Sequence, residues 1–137
     1  MNNRLSLMNE KLNNPSKETT LKQWPIQIKL IGTDNPSFNK CDLLVAADCT
    51  AYAYANIHTE FIKGRVTLIG CPKLDATDYS IKLTEIFSKN DIKSITVIRM
   101  EVPCCANMVN VVNKAIENSG KDIPLNISIV SVNGTLL

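Results

Sequence analysis

The feature that most constrains this chain is an alternation of short apolar or β-branched runs with stretches whose apolar residues recur at helical spacing. The runs are Leu43 to Ala47, Val66 to Ile69, Ser94 to Met100 and Leu125 to Val130. Strands read this way when both faces of the pleat are covered, because neither side meets water. Between them, Ala51, Tyr54, Ala55, His58, Phe61 and Ile62 fall on one helical face, with Gly64 placed to end the helix. Asp78 offers a cap to a second helix whose Ile81, Leu83, Ile86 and Phe87 are mostly inward and which ends near Asn90. In the third, Met108, Val109, Val112, Ala115 and Ile116 form a stripe, with Gly120 just past its end. Ahead of these, Ile26, Ile28 and Leu30 alternate with Gln27 and Lys29, the period of a half-buried edge strand, and turn chemistry follows from Gly32 to Asn39. Strands alternating with helices imply right-handed crossovers. The expectation is an α/β, three-layer Rossmann-like fold: a mostly parallel sheet of about five strands with helices on both faces.

With 137 residues, 45% of them hydrophobic, the chain has enough apolar surface for one domain with a real core. That domain is expected over residues 21–137. Residues 1–20, rich in Asn, Lys, Ser and Thr, read as a flexible tail. The tail lacks the apolar stretch of a signal peptide, and no run approaches the length of a membrane span, so a cytoplasmic protein without membrane contact is expected. The net charge of +2 comes from scattered basic residues, which argues against nucleic acid as a partner. Homo-oligomerisation stays open.

Five cysteines, an odd number, argue against a secreted disulfide framework and toward metal binding or thiol chemistry in a reducing compartment. In an open parallel sheet, chemistry collects beyond the carboxyl ends of the strands. Cys49 follows the Leu43 to Ala47 run, Cys71 follows Val66 to Ile69, and Cys104 with Cys105 follows Ser94 to Met100. Four thiols are thus expected at one sheet edge. Cys41 precedes its strand and belongs to the opposite edge, as a small packing residue. Thiolates are soft metal ligands and nucleophiles, and their pKa falls at a helix N-terminus, where Cys49 and Cys105 are expected. Four of them suit a [4Fe-4S] cluster or zinc, and three with an open position are equally allowed. No C-x-x-C is present, and the side chains of adjacent Cys104 and Cys105 are expected to diverge.

His58 is the lone histidine and a candidate further ligand. A continuous helix would carry it about 13 Å from Cys49, toward the wrong edge, whereas an irregular loop over Ala51 to Asn56 would bring it back. His58-Thr59-Glu60 together with Pro103-Cys104 partly matches the zinc deaminase signature, but the second cysteine of that signature is absent. Asp48 and Glu101 are candidates for tuning the thiols or moving protons, and equally for capping turns. Lys73 and Asp75 are read first as solvent-facing. The glycines form neither G-x-G-x-x-G nor a P-loop, so a nucleotide site of either kind is unsupported.

Several separated blocks also match a known pattern in order: Leu21-Lys22-Gln23-Trp24-Pro25-Ile26-Gln27, Ala46-Ala47-Asp48-Cys49, Ile69-Gly70-Cys71-Pro72-Lys73-Leu74-Asp75 and Arg99-Met100-Glu101-Val102-Pro103-Cys104-Cys105. From about Leu21 to Pro124 the chain resembles an iron-sulfur or ferredoxin-like protein family of anaerobic microbes. The resemblance implies an iron-sulfur cluster and electron exchange with a redox partner protein, with Cys49, Cys71, Cys104, Cys105 and His58 at the matching positions. Members typically carry a cysteine-rich ferredoxin module ahead of this region. Residues 1–20 hold no cysteine, so the electron-entry clusters of that module are not inherited here. Cys41 lies outside the pattern. Ala106-Asn107 stand where the family has glycines, which restricts how closely a cluster or substrate approaches the backbone.

Three readings follow. In the first, Cys49, Cys71, Cys104 and Cys105, with His58 and Glu101 as auxiliary groups, bind an iron-sulfur cluster or zinc in a redox role. In the second, a low-pKa Cys49 or Cys105 performs metal-free thiol chemistry with a neighbouring cysteine resolving. In the third, the chain is a non-catalytic module of a larger redox complex.

Overall fold

The computed structural model describes residues 18–137. Four parallel strands, β1 (Cys41–Ala47), β2 (Val66–Gly70), β3 (Ile92–Met100) and β4 (Leu125–Val130), lie in the order β2-β1-β3-β4. Every expected apolar run is a strand. The central strands β1 and β3 are buried on both faces, which is why their sequences carry so little alternation, whereas β4 shows an exposed stretch at the sheet's edge. In register, Leu43 to Ala47 pair with Val66 to Gly70 on one side, and Asp42 to Ala46 pair with Ser94 to Ile98 on the other.

The expected first strand is not a strand. Ile28 N–H donates to Ile69 O (3.0 Å) and Ile69 N–H to Ile26 O (2.8 Å), one parallel bridge beside β2. Two backbone groups of Thr67 are covered by the side chain of Gln23: Thr67 N–H donates to Gln23 Oε1 (3.3 Å), and Gln23 Nε2 donates to Thr67 O. Pro25 has no N–H to give, so this edge cannot extend into a ladder. After Gln27 the chain turns back on itself, with Ile31 N–H bonding Gln27 O (3.2 Å), which buries Ile28 and Ile31 and leaves Leu30 exposed. The edge position holds; the fifth strand shrinks to a bridge.

The expected first helix is also interrupted. It begins as α1 (Thr50–Ala53), leaves helical geometry at Tyr54, and resumes as a single π-helical turn, His58–Ile62. Tyr54, Ile57, Phe61 and Ile62 are nevertheless buried, and the Tyr54 and Phe61 rings meet edge to face at 5.6 Å. Arg65 Nη1 takes up the carbonyl of Phe61 (2.8 Å), a group the wider turn leaves free.

The other two helices form as the pattern predicts. α2 (Tyr79–Lys89) starts where the Asp78 carboxylate accepts from Ser80 N–H (3.0 Å), and it buries Leu83, Ile86 and Phe87, each worth about 1.5–3 kcal/mol of transfer free energy. Ile81, expected inward, is exposed. α3 (Pro103–Ser119) has Pro at its start and ends at Gly120, whose φ of 71° an L side chain rarely adopts. α2 and α3 pack together on one sheet face over Leu43, Val45, Leu68, Ile95 and Val97. α1 and the π turn cover the other face over Leu44, Ala46, Ile98 and Met100. The expected tail, residues 1–20, lies outside the described residues except for its last three.

Candidate thiol site

The strand order fixes where a site can form. From β1 the chain steps to β2 on one side, then crosses to β3 and β4 on the other, so the connections diverge between β1 and β3 and leave a crevice at their carboxyl ends. Cys49 stands beyond β1, Cys104 and Cys105 stand beyond β3, and Cys71 stands beyond β2, next to β1. All four occupy the expected edge. Cys41 opens β1 at the opposite edge and is buried in the core beneath α2 and α3.

Local hydrogen bonding that the sequence encodes fixes the backbone around Cys49 and Cys71. Asp48 N–H bonds Gly70 O (3.0 Å), and the Thr50 hydroxyl donates to Ala47 O (2.7 Å), which folds the chain sharply around Cys49. The turn leaves Cys49 exposed at the entry to α1. Cys71 is half-buried; its N–H donates to the Tyr79 hydroxyl (2.9 Å), which in turn donates to the Asp75 carboxylate. Burial and that carboxylate both push the Tyr79 phenol up, so it stays a neutral bridge. Cys104 and Cys105 occupy the first turn of α3, one exposed and one 2% exposed against Met100 and Ala47.

The structure brings two of the four into contact. Cys104 Sγ and Cys105 Sγ are 4.0 Å apart, so the pair does not diverge as expected. Cys49 is near enough for its charge to act on Cys105. The Cys105 thiol is pushed up to about 12, first by burial and then by the neighbouring thiols, against the lowering effect of a backbone hydrogen bond with Met100. The expectation of a low-pKa Cys105 is therefore corrected: desolvation outweighs the helix N-terminus. Neither Cys49 nor Cys71 makes a hydrogen bond to the other cysteines among the described residues, and the Cys71 backbone N–H is bound by Tyr79.

His58 does not join them. Its Nδ1 hydrogen-bonds the Thr20 hydroxyl (2.8 Å), and it stands over the flank of the sheet beside α1. Glu60 accepts from the Tyr54 hydroxyl (2.6 Å), so the partial deaminase signature is not assembled. Glu101 accepts from Val132 N–H (2.9 Å) and ties the β3 and β4 loops. Among the described residues, no group of three or more His, Cys, Asp or Glu side chains is arranged to hold a metal ion. Tyr79 is a functional neighbour that sequence reasoning missed. Its only signal is Gly70, where a Cβ would sit 2.7 Å from the Tyr79 hydroxyl.

No helix among the described residues is long and apolar enough to cross a membrane. An uncharacterized protein of Archaeoglobus fulgidus is 34% identical over 117 residues, which is 85% of this chain and 82% of that protein. No solved structure matches the chain. Residues 35–137 match the sequence model of the Rossmann-like domain, and with its parallel, doubly covered sheet the chain belongs to that family.

Proposed function

We propose that the chain is a thiol–disulfide redox protein whose exchanging thiols are Cys104 and Cys49, with Cys105 packed beside them. The observation that carries this reading is the 4.0 Å contact of the Cys104 and Cys105 sulfurs beyond β3, with Cys49 beyond the neighbouring strand β1 and its charge acting on Cys105. Exposed Cys104 is the group placed to attack a substrate disulfide, taking one sulfur into a mixed disulfide and releasing the other as a thiolate. A second thiolate then displaces the remaining substrate sulfur. Two electrons pass to the substrate, one intramolecular disulfide forms, and the substrate leaves as two thiols.

Cys49 is the better resolving group. Consecutive Cα atoms lie about 3.8 Å apart, below the roughly 4.4–6.8 Å that disulfides span, so a Cys104–Cys105 bond forces the first turn of α3 out of shape. Cys105, buried with its thiol held protonated, serves as the neutral wall of the site. A cytosolic, reducing setting and a disulfide-bearing partner fit this chemistry, as does the resemblance to redox proteins.

The test equilibrates anaerobically purified protein with mixtures of reduced and oxidised glutathione, counts thiols and maps the disulfide by mass spectrometry. The expected result is a reversible loss of two thiols, with Cys49 joined to the Cys104–Cys105 segment. Five thiols that never pair would overturn it. Stoichiometric iron or zinc bound to the same cysteines in the anaerobic protein would replace it with metal ligation.

A further inference from the structure

The sheet face beneath α1 and the π turn is incompletely filled. Register pairs Leu44 with Thr67 and Ala46 with Ile69 on this face, and the alanines at 46 and 47 are too short to reach the segment above. Because that segment leaves helical geometry at Tyr54, its apolar side chains arch over the gap. The result is a cavity of about 240 Å³ between the sheet, Ile57 and Ile62 above, and Leu21 and Ile26 at the β2 edge, open to solvent past the exposed Tyr52 and His58. An engineered cavity of about 150 Å³ is known to take benzene.

A second observation points to an occupant. Thr67 lines this cavity on β2 and is 2% exposed, yet its hydroxyl has no hydrogen-bond partner among the described residues. Its backbone N–H and C=O are both engaged by Gln23, so the hydroxyl alone is left over. The lining is mainly aliphatic, with Asp48, Thr50, Tyr52 and His58 outnumbered by leucine, isoleucine and alanine side chains, so a buried water, which needs two to four polar partners, is poorly served. At the rim stand Asp48, whose carboxylate repels anions, and His58, whose Nδ1 is already bonded to Thr20.

We propose that this cavity binds a small uncharged molecule, about one aromatic ring in size, whose apolar body fills the space and whose single hydroxyl pairs with the Thr67 hydroxyl. This site adjoins the depression that holds Cys49, sharing Asp48, Tyr52 and Ile69 with it, but the proposal does not rest on the thiol chemistry above.

Phenol is the probe, with benzene and benzoate as comparators, titrated into the full chain and followed by amide chemical shifts. Phenol is expected to give saturable shifts at Leu44, Ala46, Thr67 and Ile69, benzene to bind more weakly, and benzoate to be rejected. Thr67→Val should weaken phenol about three- to ten-fold while leaving benzene unchanged, and Thr67→Ser should keep the preference for phenol. Absence of saturable shifts, shifts centred elsewhere, equal binding of benzoate, or a Thr67→Val protein that binds phenol undiminished would each overturn the proposal.

Discussion

Replacing Thr67 by Val should make the empty protein more stable, the opposite of what a polar-to-apolar change in a well-satisfied core does. Thr67 is 2% exposed on β2, its neighbours across the strand are Leu44 and the rest of a buried apolar face, and its hydroxyl lacks a partner among the described residues. An unpaired buried hydroxyl costs about 1–3 kcal/mol. Valine keeps the β-branched shape that suits a strand and removes that cost. For a chain of 137 residues, each kcal/mol moves the melting temperature by roughly 3–5 °C. The expected gain is therefore about 3–15 °C, or about 0.5–1.5 M in urea midpoint. Adding phenol should narrow the gap by about 1 kcal/mol: at ten times its dissociation constant it stabilises the wild-type chain by about 1.4 kcal/mol, and a variant binding ten-fold more weakly by only about 0.4 kcal/mol. Parallel urea titrations with and without phenol measure both effects. A Thr67→Val protein equal to or less stable than wild type would refute the reasoning, because the hydroxyl would then be making a bond.

Other consequences are equally direct. Gly70→Ala places a Cβ 2.7 Å from the hydroxyl and 2.8 Å from Cζ of Tyr79, a ring 1% exposed and anchored to Cys71 and Asp75. The ring cannot swing away, so a loss of about 1–3 kcal/mol is expected in denaturant unfolding, and an unchanged midpoint would show the Tyr79 anchor to be loose. At pH 8, iodoacetamide should label exposed Cys49 and Cys104 well before buried Cys41 and Cys105, read by peptide mass spectrometry; early labelling of Cys105 would contradict its burial. Burial holds Cys41 up to about 11 and Cys105 up to about 12, above the ordinary value of 9.0, so between pH 9 and 12 the folded state binds more protons than the unfolded. Stability is thus fully present below about pH 9 and falls as pH rises through that window, and Cys105→Ala should flatten the fall; a wild-type curve already flat from pH 9 to 11 would contradict it.

The parts of this fold that were legible in sequence are those where one physical requirement acts alone. β1 and β3 have apolar groups on both faces because helices cover both, and Asp78 and Gly120 mark helix ends because each supplies what an open end lacks. Where two requirements compete, the pattern misleads. Ile26, Ile28 and Leu30 alternate like a strand, but Pro25 and the lack of a further strand beyond this edge among the described residues leave hydrogen bonds for a single bridge, and the chain turns to bury Ile28 and Ile31 instead. Around α1 the helical spacing tracked burial without fixing the backbone. Tyr54, Phe61 and Ile62 face the core as expected, while Ala51, Ala55 and His58 do not, because the π turn rather than a continuous helix delivers the apolar side chains.

The same distinction divides the site. That four cysteines follow three strands is a statement about chain connectivity, and connectivity puts them at one edge whatever their side chains do. Which way each sulfur turns depends on packing that the spacing does not contain. Cys105 sits one position past Cys104 on the same helical turn, and that rotation alone carries it from solvent into the apolar layer under Tyr54. The cavity left a fainter trace, two consecutive alanines on the central strand beside a threonine in an otherwise aliphatic β2. Small residues where a core strand carries large ones, and one hydroxyl where none is needed for packing, are a cost to stability that a filled cavity would offset. The cavity and the depression holding Cys49 share Asp48, Tyr52 and Ile69, so the turn after β1 that exposes the thiol is also the rim of the apolar space. A single local device, the tight turn closed by Thr50 on Ala47, sets the geometry of both.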